Sequence, residues 1–297
     1  MSARDALQLF VLSAVWGASF ILIRIGVAEI PPTWLVIGRL LVGSLVIGAV
    51  TVIGKRRLVP RALIGTLLIV AFFNNAMPFL FFAIAGKTVD SSLSGIINAS
   101  TTLFSALIAV GLRDATLNSK NLMGVALGFV GVIVAASGGL SRGHASLIGI
   151  VLLTIGSFGY AVAGIIAKRS LQGQDAVGIV LGQLLFAALM LLPFAAFERP
   201  SSPPTLFPIL AMVTLGVFAS GLAYLLSYDL LSRISPTQLS AVAYLLPVWS
   251  LFWGWTSGEQ LAWTSLAGVG IILIGIVLLN AAPTSKKPSR AVPGLER

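Results

Sequence analysis

Cysteine is absent from this chain of 297 residues, and charge is scarce: 9% of residues are Asp, Glu, Lys or Arg, against 57% hydrophobic. The first absence excludes disulfides, thiolate nucleophiles and cysteine metal sites. The second excludes an ordinary soluble domain, in which about a quarter of residues are charged, and leaves an integral membrane protein. Histidine occurs once, at His144, in a loop, and is read as a surface residue. All nine acids, Asp5, Glu29, Asp90, Asp114, Asp175, Glu198, Asp229, Glu259 and Glu296, fall in tails, loops or span ends. An intramembrane protease needs a buried Ser–His pair, paired aspartates or a zinc-binding His-Glu-x-x-His helix. None is available, so no enzymatic activity, metal or cofactor is expected.

What the chain has in abundance is apolar runs long enough to cross a bilayer, roughly 20 residues each. They lie at 6–28, 33–53, 62–85, 91–111, 120–138, 146–168, 174–197, 206–230, 236–256 and 261–281. The first is too long for a signal-peptide core and reads as a retained span. Turns rich in Gly, Pro and charge separate them, such as Pro31-Pro32 and Gly54-Lys55-Arg56-Arg57. The net charge of +10 comes from Lys and Arg in these short loops, which points to membrane orientation and away from nucleic acid. One side of the membrane holds Arg4, the Lys55–Arg61 cluster, Arg113, Lys120, Lys168, Arg169, Arg233 and the basic tail; the other holds Lys87, Arg142 and Arg199. Positive residues stay inside, so both termini are expected in the cytosol of a bacterial inner membrane. The tail, 283–297, is basic with no apolar face, and is expected to be disordered against anionic lipid.

The two halves repeat with a constant offset. Ser13, Trp16, Ile21 and Arg24 stand opposite Ser157, Tyr160, Ile165 and Lys168; Gly124 and Gly131 stand opposite Gly268 and Gly275. Five spans per half is an odd number, so the second half enters the membrane upside down. The expected fold is therefore all-α and integral to the membrane: ten transmembrane helices as two inverted-topology five-helix repeats, 1–140 and 145–282. Two such halves form one midplane site and rock around it, the design of secondary transporters. A channel would show a polar stripe along a pore, and a receptor would need a soluble domain. Neither is present in the pattern.

A polar side chain in the bilayer is costly and usually faces a partner or a water-filled path. Mid-span candidates for substrate binding are Trp16, Ser19, Asn74, Asn75, Asn98, Ser157, Tyr160, Gln183, Tyr224, Tyr244 and Trp249, with Thr101 beside them and Phe20 and Phe79 as apolar neighbours. Amide, hydroxyl and aromatic groups without a carboxylate suit a neutral or zwitterionic metabolite. The missing carboxylate argues against a proton-coupled exporter of cations, which binds proton and cation in turn; passive or exchange transport is expected. Two arginines lie within spans. Arg24 is expected to reach outward toward Glu29. Arg39, about 9 Å into the second span, is read first as an anchor and second as a carboxylate ligand. Pro78 and Pro247 interrupt helix hydrogen bonds and are gating candidates. Gly124-xxx-Gly128 and Gly178-xxx-Gly182 allow close helix approach; a monomer is favoured, with a dimer through Gly124 and Gly128 as the alternative.

Tyr228-Asp229-Leu230-Leu231-Ser232-Arg233-Ile234-Ser235, then Ala241-Val242-Ala243-Tyr244-Leu245-Leu246-Pro247-Val248 and Gly258-Glu259-Gln260-Leu261, with Trp16-Gly17-Ala18-Ser19-Phe20 and Gly38-Arg39-Leu40-Leu41 in the first half, resemble the drug/metabolite transporter superfamily, EamA type. The resemblance covers essentially the whole chain and is greatest to amino-acid exporters, including the aromatic type. It implies export of small neutral or zwitterionic metabolites, amino acids foremost, by alternating access. The alternative is a proton-coupled multidrug or nucleoside exporter of the same superfamily.

Overall fold

The computed structural model describes residues 2–113, 118–198, 200, 202–234, 236–239 and 241–281. Among the described residues it is helical throughout, with no strand. The tail expected to be disordered lies outside them, as do Asp114, Arg199 and Glu296. Ten segments run in the order α1 (Ala3–Val27), α2 (Pro32–Ile53), α3 (Arg61–Ala85), α4 (Ser91–Gly111), α5 (Ser119–Ser141), α6 (Leu147–Ser170), α7 (Ala176–Ala195), α8 (Leu206–Leu231), α9 (the two pieces Pro236–Leu239 and Val242–Thr256) and α10 (Trp263–Ala281). Nine are long and apolar enough as continuous helices to cross a membrane; α9 falls short because it is in two pieces.

Helix starts follow local chemistry. Ser2 Oγ accepts from Asp5 N at 3.2 Å while the Asp5 carboxylate accepts from Ser2 N, a reciprocal capping box that satisfies two otherwise orphan donors. Asn118 and Asn121 do the same for α5, Ser146 caps α6, and Asp175 caps α7. Pro32 opens α2, where a missing N–H costs nothing.

Helices in lipid gain little from burying apolar surface against one another, so association rests on close packing. The most intimate pair is α5 with α10. A methyl group added at Gly124 would lie 2.6 Å from Gly275 O, and one at Gly275 would lie 2.6 Å from Gly124 O. Gly131 and Gly268 meet in the same reciprocal way, at 2.7 and 2.6 Å. The two helices cross antiparallel, and Asn121 Nδ2 donates to Leu279 O at 2.7 Å alongside. Gly128 receives the Leu103 side chain, so both glycines of that motif are engaged within the chain.

The rest of the packing respects an exchange of the halves. Helix α1 lies on α8 and α9 as α6 lies on α3 and α4, and α2 faces its counterpart α7. Local irregularities pair as well. The backbone widens to a π-helix at Phe72–Ala76 in α3 and at Leu215–Leu222 in α8. In α4 the bonds Ala99 N→Ile96 O and Thr102 N→Ala99 O, and in α9 the bonds Ala241 N→Gln238 O and Tyr244 N→Ala241 O, tighten to a three-residue step. The α3 widening sits just ahead of Pro78, whose ring and missing N–H exclude the regular four-residue bond; Met77 N reaches back five residues to Phe72 O.

Gly131→Ala or Gly268→Ala should lower the melting temperature of the detergent-solubilised protein, at an overpacking cost of about 1–3 kcal/mol. Gly270→Ala, with open space at its Cβ position, should leave it unchanged or raise it. Equal melting of all three variants would contradict this contact.

Candidate functional site

Helices α2 and α8 approach because each places glycine where the other presents a side chain. A methyl group at Gly43 would lie 2.9 Å from Ser220 Cβ, and one at Gly216 would lie 2.5 Å from Val42 Cβ. This seats the wide turn of α8 against α2, where Arg39 Nε donates to the buried Ser220 Oγ at 2.7 Å. The same wide turn presents the Ala219 carbonyl to Trp16 of α1, whose Nε1 donates at 3.2 Å. Widened turns leave carbonyls free for such partners and recur at functional sites.

Beside this contact, Asn74 Nδ2 donates to Gln183 Oε1 at 2.9 Å, and Asn74 and Asn75 both donate to the Tyr224 hydroxyl, at 3.4 and 3.3 Å. These bonds join α3, α7 and α8. Aromatic rings form the next wall: Phe20 and Phe82 have centroids 5.8 Å apart, and Tyr160 packs on Phe79 and Phe82 at 6.5 and 6.0 Å. The Arg39 guanidinium carbon lies 3.8 Å over the Phe79 ring, a cation–π contact.

Together these residues enclose a cavity of about 420 Å³ between the halves. Trp16, Ser19, Phe20, Arg39, Asn74, Phe79, Asn98, Tyr160 and Tyr224, nine of the fourteen expected binding residues, line it. The other five are close by but engaged elsewhere. Asn75 and Gln183 are buried behind the wall and hold Tyr224 and Asn74. Ser157 donates to Leu153 O and Ile97 O, tying α6 to α4. Tyr244 donates to Ile276 O, and Trp249 donates to Ser13 Oγ and packs on Phe10, Phe252 and Trp253. Pro78 packs against α6 at Gly156 and Gly159, and Pro247 is buried in α9, where its carbonyl accepts from Ser250. The sequence reading did not include Ile23, Phe82, Ala99, Thr102, Ala219, Leu239, Val242, Ala243 and Leu246 in the lining. Most are apolar, and nothing in an apolar run distinguishes a cavity wall from a lipid face.

At the face where α4 begins, its first half packs closely against α9. Helix α4 has no cap of its own side chain at Asp90. Glu259 supplies one from the α9–α10 turn, accepting from Ser91 N at 2.7 Å, Ser92 N at 3.0 Å and Ser91 Oγ at 2.7 Å. A carboxylate at a helix N-terminus is favoured by the exposed N–H groups and the dipole. Gly258 makes the turn possible, since its φ of +89° is strained for other residues. Arg24 completes the cluster by binding both Asp90 and Glu259, the latter at 2.7 Å, and His144 Nδ1 lies 3.2 Å from Asp90. Arg24 thus turns to these acids and not to Glu29, which instead accepts from Thr205. The reason is reach: Glu29 is engaged by α8's entry, while two carboxylates converge beside Arg24. His144, a surface residue as expected, borders the same cluster. Beside this cluster the two helices meet closely, Gly95 of α4 against Ser250 of α9 and Gly254 of α9 against Ser92 of α4.

Beyond Ala99 the two helices part. The second half of α4, Ser100–Gly111, packs on α5 and α6. The cavity runs on between Thr101 and Thr102 on one side and Leu239, Val242 and Leu246 on the other, toward the face bearing the chain's N-terminus. On that face Arg233 ties the end of α8 to Asp229 at 2.8 Å and to Asp5 of α1 at 3.2 Å.

The EamA-like transporter family matches residues 5–137 and 147–281. The chain is 28% identical to an uncharacterized inner membrane transporter, YedA, of Escherichia coli K12, over 92% of this chain and 89% of that protein. It is 25% identical to a probable amino-acid metabolite efflux pump of Salmonella typhimurium LT2, over 94% of this chain and 95% of the pump. A solved crystal structure shares the fold at a TM-score of 0.68 and 19% identity, over 94% of this chain and 99% of that one.

Burial alone would raise the Glu259 carboxyl, but the hydrogen bonds from Ser91 and Ser92 outweigh it and hold the group below the usual carboxylate range. Its contribution to this cluster is therefore complete above the ordinary carboxyl pKa and is lost only as pH falls through the lowered value. Because the chain lacks cysteine, Thr101→Cys can report cavity access by impermeant thiol labelling. Labelling from the face where α4 begins should be slow and flat across neutral and mildly acidic pH, and should rise several-fold when Glu259→Gln is added. Equal labelling with and without Glu259→Gln would show that this cluster does not close the cavity.

Proposed function

This chain belongs to the EamA-like transporter family, and we propose that it exports small neutral or zwitterionic metabolites, amino acids foremost, including aromatic ones. The carrying observation is the lining of the shared cavity: among the described residues it offers indole, phenol and phenyl faces with amides, hydroxyls and one arginine, and no carboxylate. Aromatic faces favour an apolar or aromatic side chain, and the polar groups suit charged termini. The name of the Salmonella relative, a probable amino-acid metabolite efflux pump, points the same way.

In this reading the halves are inverted repeats in an inner membrane with both termini in the cytosol. The Arg24–Asp90–Glu259 cluster is then an outer seal, and the parted lower halves of α4 and α9 form an inward-facing entrance. Export proceeds by exchanging the packed and parted ends of these two helices about their mid-span steps. The substrate gradient drives transport, because the described lining holds no carboxylate to carry a proton. We place no cofactor in this cycle, and a monomer suffices for it.

Proteoliposomes tested with labelled neutral amino acids, one cationic drug and one nucleoside, with and without a proton gradient, decide the matter. Saturable amino-acid flux indifferent to the gradient is expected; gradient-dependent drug or nucleoside flux would establish the multidrug or nucleoside alternative in its place. Trp16→Ala should cut amino-acid flux about tenfold, the equivalent of roughly 1.4 kcal/mol of lost contact, with normal membrane insertion. Parental flux in that variant would remove Trp16 from the substrate path.

A further inference from the structure

Arg39 is buried, with 6% of its surface exposed, and lines the cavity. A guanidinium offers five N–H donors; Ser220 takes one, and the Phe79 ring takes a face. No carboxylate among the described residues pairs with it: Asp90 and Glu259 are held by Arg24, Asp5 and Asp229 by Arg233, while Glu29, Glu198 and Asp175 accept from backbone at the ends of other helices. A buried cation without a counter-ion is costly to maintain. The arginine is thus electrostatically incomplete on the side that faces the cavity.

A second incompleteness lies at the step in α4. Asn98 Oδ1, Ser100 Oγ and Thr101 Oγ1 are buried with no hydrogen-bond partner. Asn98 and Thr101 line the same cavity as Arg39, and Ser100 is 1% exposed behind them. The first half of α4, Ser91–Asn98, ends here, so its carbonyl end adds partial negative charge. Unpaired acceptors beside a helix C-terminus favour a cation with several N–H donors.

We propose that the cavity is a two-pole receptor for a zwitterion, with the substrate carboxylate on Arg39 and its ammonium on Asn98 and Thr101. The substrate carboxylate would pair with the guanidinium, and the substrate ammonium would donate to the oxygens that lack donors. The guanidinium fork matches a carboxylate bidentately, and the side chain of the substrate lies against Trp16, Phe20 and Phe79. The assignment rests on the amino-acid reading and deepens it. It puts first the carboxylate-binding role that the sequence reading placed second to anchoring, since among the described residues no carboxylate pairs with Arg39.

The test is competition against labelled phenylalanine in counterflow, using unlabelled phenylalanine, phenylalaninamide, which lacks the carboxylate, and N-acetylphenylalanine, which lacks the ammonium. In the parental protein each half-charged analogue should compete at least about tenfold more weakly than phenylalanine, because each leaves one pole unpaired. Arg39→Gln should abolish the preference for phenylalanine over phenylalaninamide, and Asn98→Ala should abolish the preference over N-acetylphenylalanine. Should Arg39→Gln fail to fold, Arg39→Lys keeps the charge without the fork; it should bind phenylalanine more weakly and still prefer it to the amide. Equal competition by phenylalaninamide in the parental protein overturns the Arg39 pole, and equal competition by N-acetylphenylalanine overturns the Asn98 pole. Absence of any amino-acid counterflow, with saturable flux of another solute, overturns the amino-acid reading itself and the zwitterion with it.

Discussion

Every polar group in the hydrocarbon must find its partner inside the protein, and the rest of this structure follows from that requirement. Ten helices satisfy most of their backbone internally, and where they do not, another segment answers. Ala219 in the widened turn of α8 receives Trp16, and the uncapped start of α4 receives Glu259. Among the described residues the exceptions are concentrated at the cavity, where Arg39 has no carboxylate partner and the acceptors at the α4 step have no donors.

Close packing and looseness are distributed to match. The glycine crossing of α5 and α10 brings backbone against backbone, while α4 and α9 are held by small residues at one end only. Both of those helices change to a tighter step at mid-depth, and α3 and α8 widen at corresponding points. Irregularities at equivalent positions of the two halves are the places where a half-span can pivot without unpacking the remainder. The halves are not interchangeable in detail: Pro78 accounts for the wide turn in α3, while in α8 the wide turn sits at the glycine-mediated contact with α2.

Much of the polar lining was legible because a polar residue in an apolar run is itself a signal. Asn74, Asn98, Tyr160 and Tyr224 stand out for that reason, and they meet at one cavity. The same signal cannot separate lining from glue: Ser157, Tyr244 and Trp249 look alike in the sequence, yet their polar atoms bond neighbouring helices. Arg24 and Glu259 are separated by 235 residues, and nothing in local pattern says that a turn after α9 will cap the start of α4.

By itself the sequence determined the membrane class, the number of spans, their duplication and the sparsity of charge within them, because each depends on composition and local period. Hydrophobic length suffices to place a helix in a bilayer, whatever its neighbours. Only the tertiary structure decided which face of each helix looks inward, which carboxylates Arg24 meets, and that Arg39 is left without one. Those outcomes depend on crossings set by small residues far apart in the chain, and pairing energies in a low-dielectric interior are decided by a few ångströms that no linear pattern encodes.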